Sequence, residues 1–274
     1  MNKFIHFIKA LMASFKKNNT TLLGAAQAYH YLLMIVPLLI VSFAIIPYLN
    51  LNPDDVLKFI GEMIPEELAS IFESTIIHLV ETPKGGLLTF GIIAALWSAS
   101  SGLVAFMKAT NTAYNVEETR SFLKVRLIAT VLTIGMILSI LVAFLFVIFG
   151  NVIIEWVQSF IDIRQPIYTM IQVTRWLASV TVMTVVLMMM YRFAPNKKIP
   201  FKHIIPGAVT TSLLWIIASL GFSFYIGNFA NFSATYGSLG GMIILMIWFY
   251  LTGILLMVGA EINVILHEEK QVEE

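Results

Sequence analysis

The sequence contains no cysteine and few charged residues. Asp, Glu, Lys and Arg make up 12% of its 274 residues, about half of the share in an average soluble domain. Without cysteine, the chain has no disulfide framework, no thiolate metal site and no cysteine nucleophile. The formal net charge of +1 gives no reason to expect a nucleic-acid partner.

The few charges are unevenly distributed and leave long apolar runs between them. Hydrophobic residues make up 58% of the chain, and the charge-free runs are 18–53, 85–107, 127–154, 176–191 and 203–260. Runs of about 18 or more residues without charge are typical of membrane-spanning helices. This pattern excludes a soluble enzyme, a disordered chain and a β-barrel, whose segments are short and alternating. It predicts an all-α polytopic membrane helical bundle.

The runs predict six transmembrane helices, at residues 22–49, 85–107, 127–154, 166–191, 206–227 and 238–260. The last run, 203–260, is too long for one span, because a single helix of that length would measure about 87 Å. A turn-forming segment that ends in Tyr236 and Gly237 divides it. Residues 1–274 are therefore expected to form a single integral membrane domain.

The basic residues predict how the chain is oriented. Thirteen of the 17 Lys and Arg residues lie in the termini and loops of one predicted side, and the other side has Lys58, Lys84, Arg164 and Arg175. Because Lys and Arg accumulate on the cytoplasmic side, both termini are predicted to be cytoplasmic. The expected location is the inner (cytoplasmic) membrane, with residues 267–274 as a cytoplasmic tail.

Two segments outside the spans have amphipathic patterns. Residues 1–19 carry Phe4, Ile8, Leu11 and Phe15 on one helical stripe, which predicts a cytoplasmic interfacial helix. A helix packed on the inner end of the bundle is an open alternative. Residues 53–82 are rich in acidic residues and predict two short amphipathic helices on the outer side. They could gate access, bind a cation or present a solvated acidic face.

Enzyme signatures are absent from the sequence. Its five His residues include no HExxH pattern, and neither a GxxxxGK[ST] phosphate loop nor a GxSxG motif occurs. The chain is therefore expected to be neither a hydrolase, a nuclease nor an ATPase, and to need no metal or cofactor. A membrane enzyme that acts on lipids would require converging reactive groups that the sequence does not indicate.

Polar residues inside the predicted spans are candidates for function, because polarity is costly in the bilayer. The first span has Gln27 and His30 on one face, and Pro37 further along is expected to kink it. A kinked helix with a polar stripe is suited to a cavity wall. Hydrogen bonds from Gln27 and His30 to neighbouring helices are the alternative.

Further candidates lie near the inner ends of the spans. Asn111 and Tyr114 are one helical turn apart, and Arg120 and Arg126 follow in a basic loop. Glu261 closes the last predicted span, and we expect it to pair with an Arg or Lys on the inner side. No acidic residue lies deep in any predicted span, which argues against a pump that relies on a buried carboxylate.

Several segments together resemble the YihY/BrkB family of bacterial inner-membrane proteins. They are Ala25-Ala26-Gln27-Ala28-Tyr29 with Pro37-Leu38-Leu39, Leu96-Trp97-Ser98-Ala99-Ser100, Asn111-Thr112-Ala113-Tyr114 with Arg120, Lys124 and Arg126, Tyr191-Arg192-Phe193-Ala194-Pro195, Pro206-Gly207-Ala208, Tyr236-Gly237-Ser238-Leu239-Gly240, Trp248-Phe249-Tyr250, and Gly259-Ala260-Glu261. The resemblance covers residues 20–266 and implies six spans. Family members have been described as virulence factors and were once labelled ribonuclease BN, although this sequence lacks a metal-binding histidine cluster.

The sequence and the resemblance together favour a transporter or lipid translocase of unknown substrate. Lipid or a small anion is the expected substrate class, the bilayer is the expected partner, and no oligomeric state is indicated. A non-transporting membrane scaffold that binds partners is the alternative. The candidate residues of the substrate pathway are Gln27, Tyr29, His30, Pro37, Asn111, Tyr114, Arg120, Arg126, Tyr191, Tyr236, Gly237 and Glu261.

Overall fold

The computed structural model describes residues 2–45, 85–138, 165–228 and 237–273. These residues form helices joined by short loops, and the described ranges contain no strand. The all-α expectation is therefore confirmed for them. The predicted outer segment 53–82, Tyr236 and the second half of the third predicted span lie outside the described residues.

Seven α-helices make up the described part of the chain. They are α1 (Asn2–Lys17), α2 (Thr20–Ile45), α3 (Gly85–Ala113), α4 (122–138 as far as it is described), α5 (Gln165–Phe193), α6 (Ile205–Asn228) and α7 (Gly240–Glu273). Short 3₁₀ turns at Phe201–His203 and Gly237–Leu239 precede α6 and α7.

Four of the described helices are long and apolar enough to cross a membrane. The candidate spans are Thr89–Ala113, Trp176–Phe193, Ile205–Asn228 and Gly240–Glu268. They correspond to the second, fourth, fifth and sixth predicted spans. The first and third spans, which include α2 and α4, stay predictions, and so does the total of six.

Two helices extend beyond their predicted ends. The second span was predicted to end at residue 107, but α3 continues to Ala113 and contains Asn111 in its last turn. The sixth was predicted to end at residue 260, but α7 continues to Glu273 through Glu261 and most of the predicted tail. The physical reason is that a charged residue marks where a helix leaves the apolar core and does not itself stop the helix. At 34 residues, α7 is about 51 Å long and exceeds a core about 30 Å thick.

Asparagines in the left-handed conformation form two of the helix ends. Asn19, at φ 48°, ends α1, and its carbonyl accepts hydrogen bonds from Leu22 and Leu23 at the start of α2. Asn115, at φ 51°, follows α3, where Val116 N–H donates to the Asn111 carbonyl. Asn tolerates this conformation better than other residues with a side chain, and the second arrangement is a Schellman end. Both turns fold the chain sharply beside the site described below.

The chain divides into two compact units. One comprises Met1–Tyr29 and Ser100–Glu274, and the other comprises His30–Ala99. In the first unit, α6 packs against both α5 and α7, and α1 packs against α7. Its core includes Phe106, Tyr191 and Met257, each at most 1% exposed. In the second unit, the described residues are the helical segments 30–45 and 85–99.

Candidate functional site

Most buried polar side chains of the first unit lie at one end of its helices. We call this the basal end and define it as the α1–α2 corner, the last turn of α3, the last two turns of α5, the loops 114–121 and 194–204, the first two turns of α6 and residues 253–267 of α7. Burial is concentrated there: the buried residues of α6 are Gly207, Ala208, Thr211 and Ser212. The described side chains of α6 from residue 213 to 228 are all exposed or half-buried.

Glu261 is buried in the basal end against the α1–α2 corner. Its side chain is fully buried. Ser14 Oγ donates to Oε2 at 2.5 Å, and Asn18 Nδ2 donates to Oε1 at 2.8 Å. Thr20 Oγ1 lies 3.5 Å from Oε1. The expected Lys or Arg partner of Glu261 is therefore wrong for the part of the chain described here, since three neutral groups surround the carboxyl.

Close backbone packing brings α6 and α7 together beside Glu261. A Cβ atom on Gly207 would collide with the Gly259 carbonyl and the Asn263 side chain. A Cβ on Gly259 would collide with the Thr211 and Tyr191 hydroxyls. The glycines therefore allow the contacts that close this end, and Gly207 N–H donates to Asn263 Oδ1 at 2.9 Å.

Tyr191 joins three helices through its hydroxyl. It is 1% exposed, donates to the Leu256 carbonyl at 2.8 Å and lies 2.9 Å from Thr211 Oγ1. Its ring packs against Phe106, with 5.8 Å between the ring centroids. This predicted site residue is thus part of the packing of α3, α5, α6 and α7.

Two histidines from distant parts of the sequence meet at the basal end. His203 Nδ1 and His267 Nδ1 are 2.8 Å apart and both side chains are buried. The Tyr114 ring lies edge-on to His267 at 6.4 Å between centroids, and Lys197 Nζ is 5.8 Å from the centre of the Tyr114 ring. Burial, and secondarily the charges of Tyr191, Glu261 and Glu268, raise the pKa of the Tyr114 hydroxyl.

A network of hydrogen bonds ties loop 114–121 to loop 194–204. Glu118 accepts from Arg120 Nη2 at 2.6 Å and from Asn111 Nδ2 at 2.9 Å. Arg120 also donates to the carbonyls of Phe193 and Ala194, and Asn196 N–H donates to Asn111 Oδ1 at 2.7 Å. The Arg120 guanidinium is the main cause that lowers the pKa of Glu118, with smaller effects from the Arg120 backbone N–H and Asn111.

The remaining predicted site residues are less closely grouped. Gln27 is fully buried and donates to the Leu23 carbonyl at 3.2 Å, whereas Tyr29 is 59% exposed. Arg126 Nη1 donates to Ser101 Oγ at 3.0 Å, and Gly237 adopts φ 56° in the turn before α7. His30 and Pro37 belong to the second unit, where Pro37 lies inside α2.

Sequence reasoning missed the residues that complete these clusters. They are Ser14, Asn18, Thr20, Glu118, Asn196, Lys197, His203, Thr211, Asn263 and His267. The missed partners are far apart in sequence: the two histidines are separated by 64 positions, and Ser14 and Glu261 by 247. Only the polar break Asn18-Asn19-Thr20 before an apolar run was a local signal. Among the described side chains, no three His, Asp or Glu residues form a group that could hold a metal ion.

The helices and the closed polar end define a multi-helix membrane protein. The chain belongs to the virulence factor BrkB family, whose sequence profile matches residues 11–274. This confirms the resemblance inferred from the motifs.

Named relatives cover most of this chain. A protein of Bacillus subtilis (strain 168), YfkH, whose name describes it as ribonuclease-like, is 44% identical over 97% of this chain and 96% of its own length. A UPF0761 membrane protein of Xanthomonas campestris pv. campestris (strain B100) is 27% identical over 87% of this chain. This chain spans 55% of that relative's length. A UPF0761 membrane protein of Photobacterium profundum is 25% identical over 99% of this chain and 84% of its own length. No solved structure matches the chain.

Proposed function

We propose that this protein is a transporter or lipid translocase of the inner membrane that works by alternating access, with the basal end as its cytoplasmic gate. The observation that carries the proposal is the uneven burial along the helices of the first unit. Among the α5 side chains whose burial the structure describes, the buried ones are Leu187, Met190 and Tyr191, at the basal end. In α7 they are concentrated in residues 253–267. A bundle that packs tightly at one end has the form of a gate closed at that end.

The contacts that close the basal end are suited to opening. Glu261 is held by Ser14, Asn18 and Thr20, which are neutral donors on the α1–α2 corner. A hydrogen bond to a charged group contributes about 1.5–3 kcal/mol, and a few such bonds can be exchanged for others in a second conformation. When the corner separates from α7, water that enters the open gate can replace these neutral donors around the Glu261 carboxylate.

A non-transporting scaffold is favoured by a different observation. Gln27 is fully buried, and a Cβ on Gly253 would contact the Gly24 backbone. The region around Gln27 is therefore packed, as a permanent structural bundle requires. In a transporter this packing must open during the transport cycle, whereas in a scaffold it stays closed.

Purified protein in liposomes tests the proposal. We expect flux of at least one member of a panel of inorganic anions, organic anions and fluorescent phospholipids above that of protein-free liposomes. Glu261→Gln should change this flux at least several-fold, because an amide nitrogen would face a donor and destabilise the closed gate. Glu117→Gln is the control, since Glu117 is an exposed carboxylate and its side chain does not take part in the contacts around Glu261, so that the flux should be unchanged.

The scaffold alternative predicts a different result. If the whole panel gives no flux with protein that elutes as a single folded species, transport is rejected for these substrates and the scaffold is favoured. Equal effects of Glu261→Gln and Glu117→Gln would reject the basal end as the gate.

A further inference from the structure

Three buried polar atoms at the basal end have no hydrogen-bond partner among the described residues. They are Tyr114 Oη, Asn263 Nδ2 and His267 Nε2. The side chains that carry them are at most 5% exposed. Buried polar atoms are almost always satisfied, and leaving one unsatisfied costs about 1–3 kcal/mol. Three such atoms in one cluster indicate a missing partner.

The chemistry of the cluster shows which kind of partner is missing. Asn263 Oδ1 must be the oxygen, because it accepts from Gly207 N–H at 2.9 Å. The other end of the Asn263 side chain is therefore an NH₂ group, which only donates. Asn263 and His267 lie one turn apart on α7, and the Tyr114 ring packs edge-on to the His267 ring. The Tyr114 hydroxyl, the Asn263 NH₂ group and the His267 imidazole are thus all without a partner, and the NH₂ group, which cannot accept, requires an acceptor.

The paired histidines allow the cluster to gain a donor without rearranging. One proton lies between His203 Nδ1 and His267 Nδ1, which are 2.8 Å apart. In the neutral pair, one ring donates this hydrogen bond through Nδ1–H. The other ring accepts it at Nδ1 and therefore carries its own hydrogen on Nε2. One further proton on the other ring would make both Nε2 atoms donors and would preserve the bond between the rings.

The charges around the cluster also favour an acceptor ligand. Lys197 Nζ lies over the Tyr114 ring at 5.8 Å, and the loop 194–204 carries Lys198 and Lys202 without an acidic residue. The charges of Glu261 and Glu268 reach Tyr114 and oppose an anion there, but Glu261 is held by donors of the α1–α2 corner and Glu268 is exposed to solvent. A metal cation does not fit, because neither an amide NH₂ nor an ammonium group can ligate one.

We propose that Tyr114, Asn263 and His267, together with Lys197, form a binding site for a phosphate-like oxyanion. The oxyanion is either free inorganic phosphate or the phosphate of a lipid headgroup, since both present the same acceptor oxygens. This inference deepens the proposed function by naming its substrate class, but the site itself is defined by binding and not by flux.

Binding of inorganic phosphate to the purified full-length protein tests the site. The melting temperature of the detergent-solubilised protein is measured against potassium phosphate, with potassium chloride at equal ionic strength as reference. Phosphate should raise the melting temperature of the wild-type chain saturably, because a ligand that binds only the folded state stabilises it. The same titration gives the dissociation constant for each variant.

Two conservative variants remove the donors without removing the surrounding packing. Asn263→Asp keeps an oxygen for Gly207 N–H but replaces the NH₂ group with a second oxygen, and Tyr114→Phe removes only the hydroxyl. Each should weaken phosphate binding about tenfold or more, the value of one lost hydrogen bond to a charged group. Thr252→Val is the control: Thr252 Oγ1 is also buried without a partner, but it lies four turns of α7 away from His267 and its loss should not change binding.

Nanodiscs separate the two sources of the oxyanion. Phosphatidylglycerol, compared with a neutral galactolipid that carries no phosphate, should stabilise the wild-type chain and not Asn263→Asp if the ligand is a headgroup. A phosphate effect without a phosphatidylglycerol effect assigns the site to the free anion. The proposal is overturned if neither ligand stabilises the wild-type chain, which would mean that water satisfies the cluster, or if Asn263→Asp binds as tightly as Thr252→Val.

The outcome for this site is independent of the outcome for transport. If phosphate binds as expected but no substrate crosses the membrane, the proposed transport fails and the site stands. If substrates cross equally well through the wild-type chain and Asn263→Asp, and neither binds phosphate, the site fails and transport stands.

Discussion

At the scale of single residues, Glu118 helps to hold loop 114–121 against loop 194–204, which is distant in sequence. Its carboxylate accepts from both the Arg120 guanidinium and Asn111 Nδ2, and Arg120 extends the link to the carbonyls of Phe193 and Ala194. The Arg120 side chain is 9% exposed and the Glu118 side chain 28%. Water therefore screens the pair only in part, and the link should contribute modestly to stability.

We predict that Glu118→Gln lowers the melting temperature at pH 7, by an amount equivalent to about 1 kcal/mol or less after allowance for screening. Because Arg120 lowers the pKa of the folded-state Glu118 carboxyl from its usual 4.5, the stabilisation is present above the unfolded-state pKa. It is lost as the pH falls through the folded-state pKa. The difference between wild type and variant should therefore shrink below about pH 4.5, which melting curves from pH 7 to pH 3.5 would measure.

Glu117→Gln is the matched control for this prediction. Glu117 is the neighbouring exposed carboxylate, and its backbone carbonyl, which the substitution retains, accepts from Asn196 Nδ2. It should melt like the wild type at every pH. A Glu118→Gln deficit that stays constant down to pH 3.5 would contradict the assignment of the effect to the ionised carboxylate.

Single residues also show where sequence reasoning reaches its limit. Asn111, Tyr114, Tyr191 and Glu261 were predicted as site residues, and all four are buried at the basal end. The neutral partners of Glu261 were not predictable, because hydrogen bonds to Ser14 and Asn18 depend on how the α1–α2 corner docks on α7. That docking is set by the left-handed turn at Asn19, which leaves no periodic pattern in the sequence.

At the scale of the elements, close helix contact at the basal end depends on glycines of α6 and α7. In a membrane, helices associate mainly through packing, since lipid is as apolar as the side chains. Gly259 lies where a Cβ would collide with the hydroxyls of Thr211 and Tyr191, whereas Gly221 on α6 has no atom within 4 Å of an added Cβ. Gly259 is therefore required for close helix contact, whereas Gly221 is not.

Gly259→Ala should destabilise the protein by about 1–3 kcal/mol, the usual cost of overpacking a closely packed contact. Gly221→Ala should be neutral or raise stability by up to about 1 kcal/mol, because Ala favours helix and nothing obstructs its methyl group. Melting temperatures of both variants in the same detergent would measure the difference. Similar values for the two variants would show that the α6–α7 contact at Gly259 does not limit stability.

The helices themselves were predictable to a greater extent than their ends. The predicted spans 166–191 and 206–227 agree with α5 and α6 to within one or two residues, because charge-free runs and turn-forming residues together indicated their ends. Proline also helped, since Pro166 and Pro206 each occupy the first turn of a helix. Helix ends outside the apolar core depend on tertiary contacts, which is why α7 extends past Glu261.

At the scale of the whole molecule, the arrangement of the basal end constrains topology. The α1–α2 corner contacts α7 through Glu261, and Tyr114 after α3 contacts His267. The N-terminal helix, the loop after α3 and the C-terminal half of α7 therefore meet at one end of the first unit. The six-span prediction places an even number of membrane crossings between each pair of them, which agrees with their meeting at one end.

Single cysteines should place these three segments on the same side of the membrane and on the cytoplasmic side. The natural chain has no cysteine, so Lys9→Cys, Glu117→Cys and Glu268→Cys, at positions that are all exposed, each provide one label site without background. A membrane-impermeant maleimide should label them only after the cells are permeabilised. Lys58→Cys, in the predicted outer segment, should be labelled in intact cells. The cytoplasmic side is predicted from the excess of Lys and Arg. Labelling of all three basal positions in intact cells would show the opposite orientation. Different results for Lys9→Cys and Glu268→Cys would exclude an even number of spans.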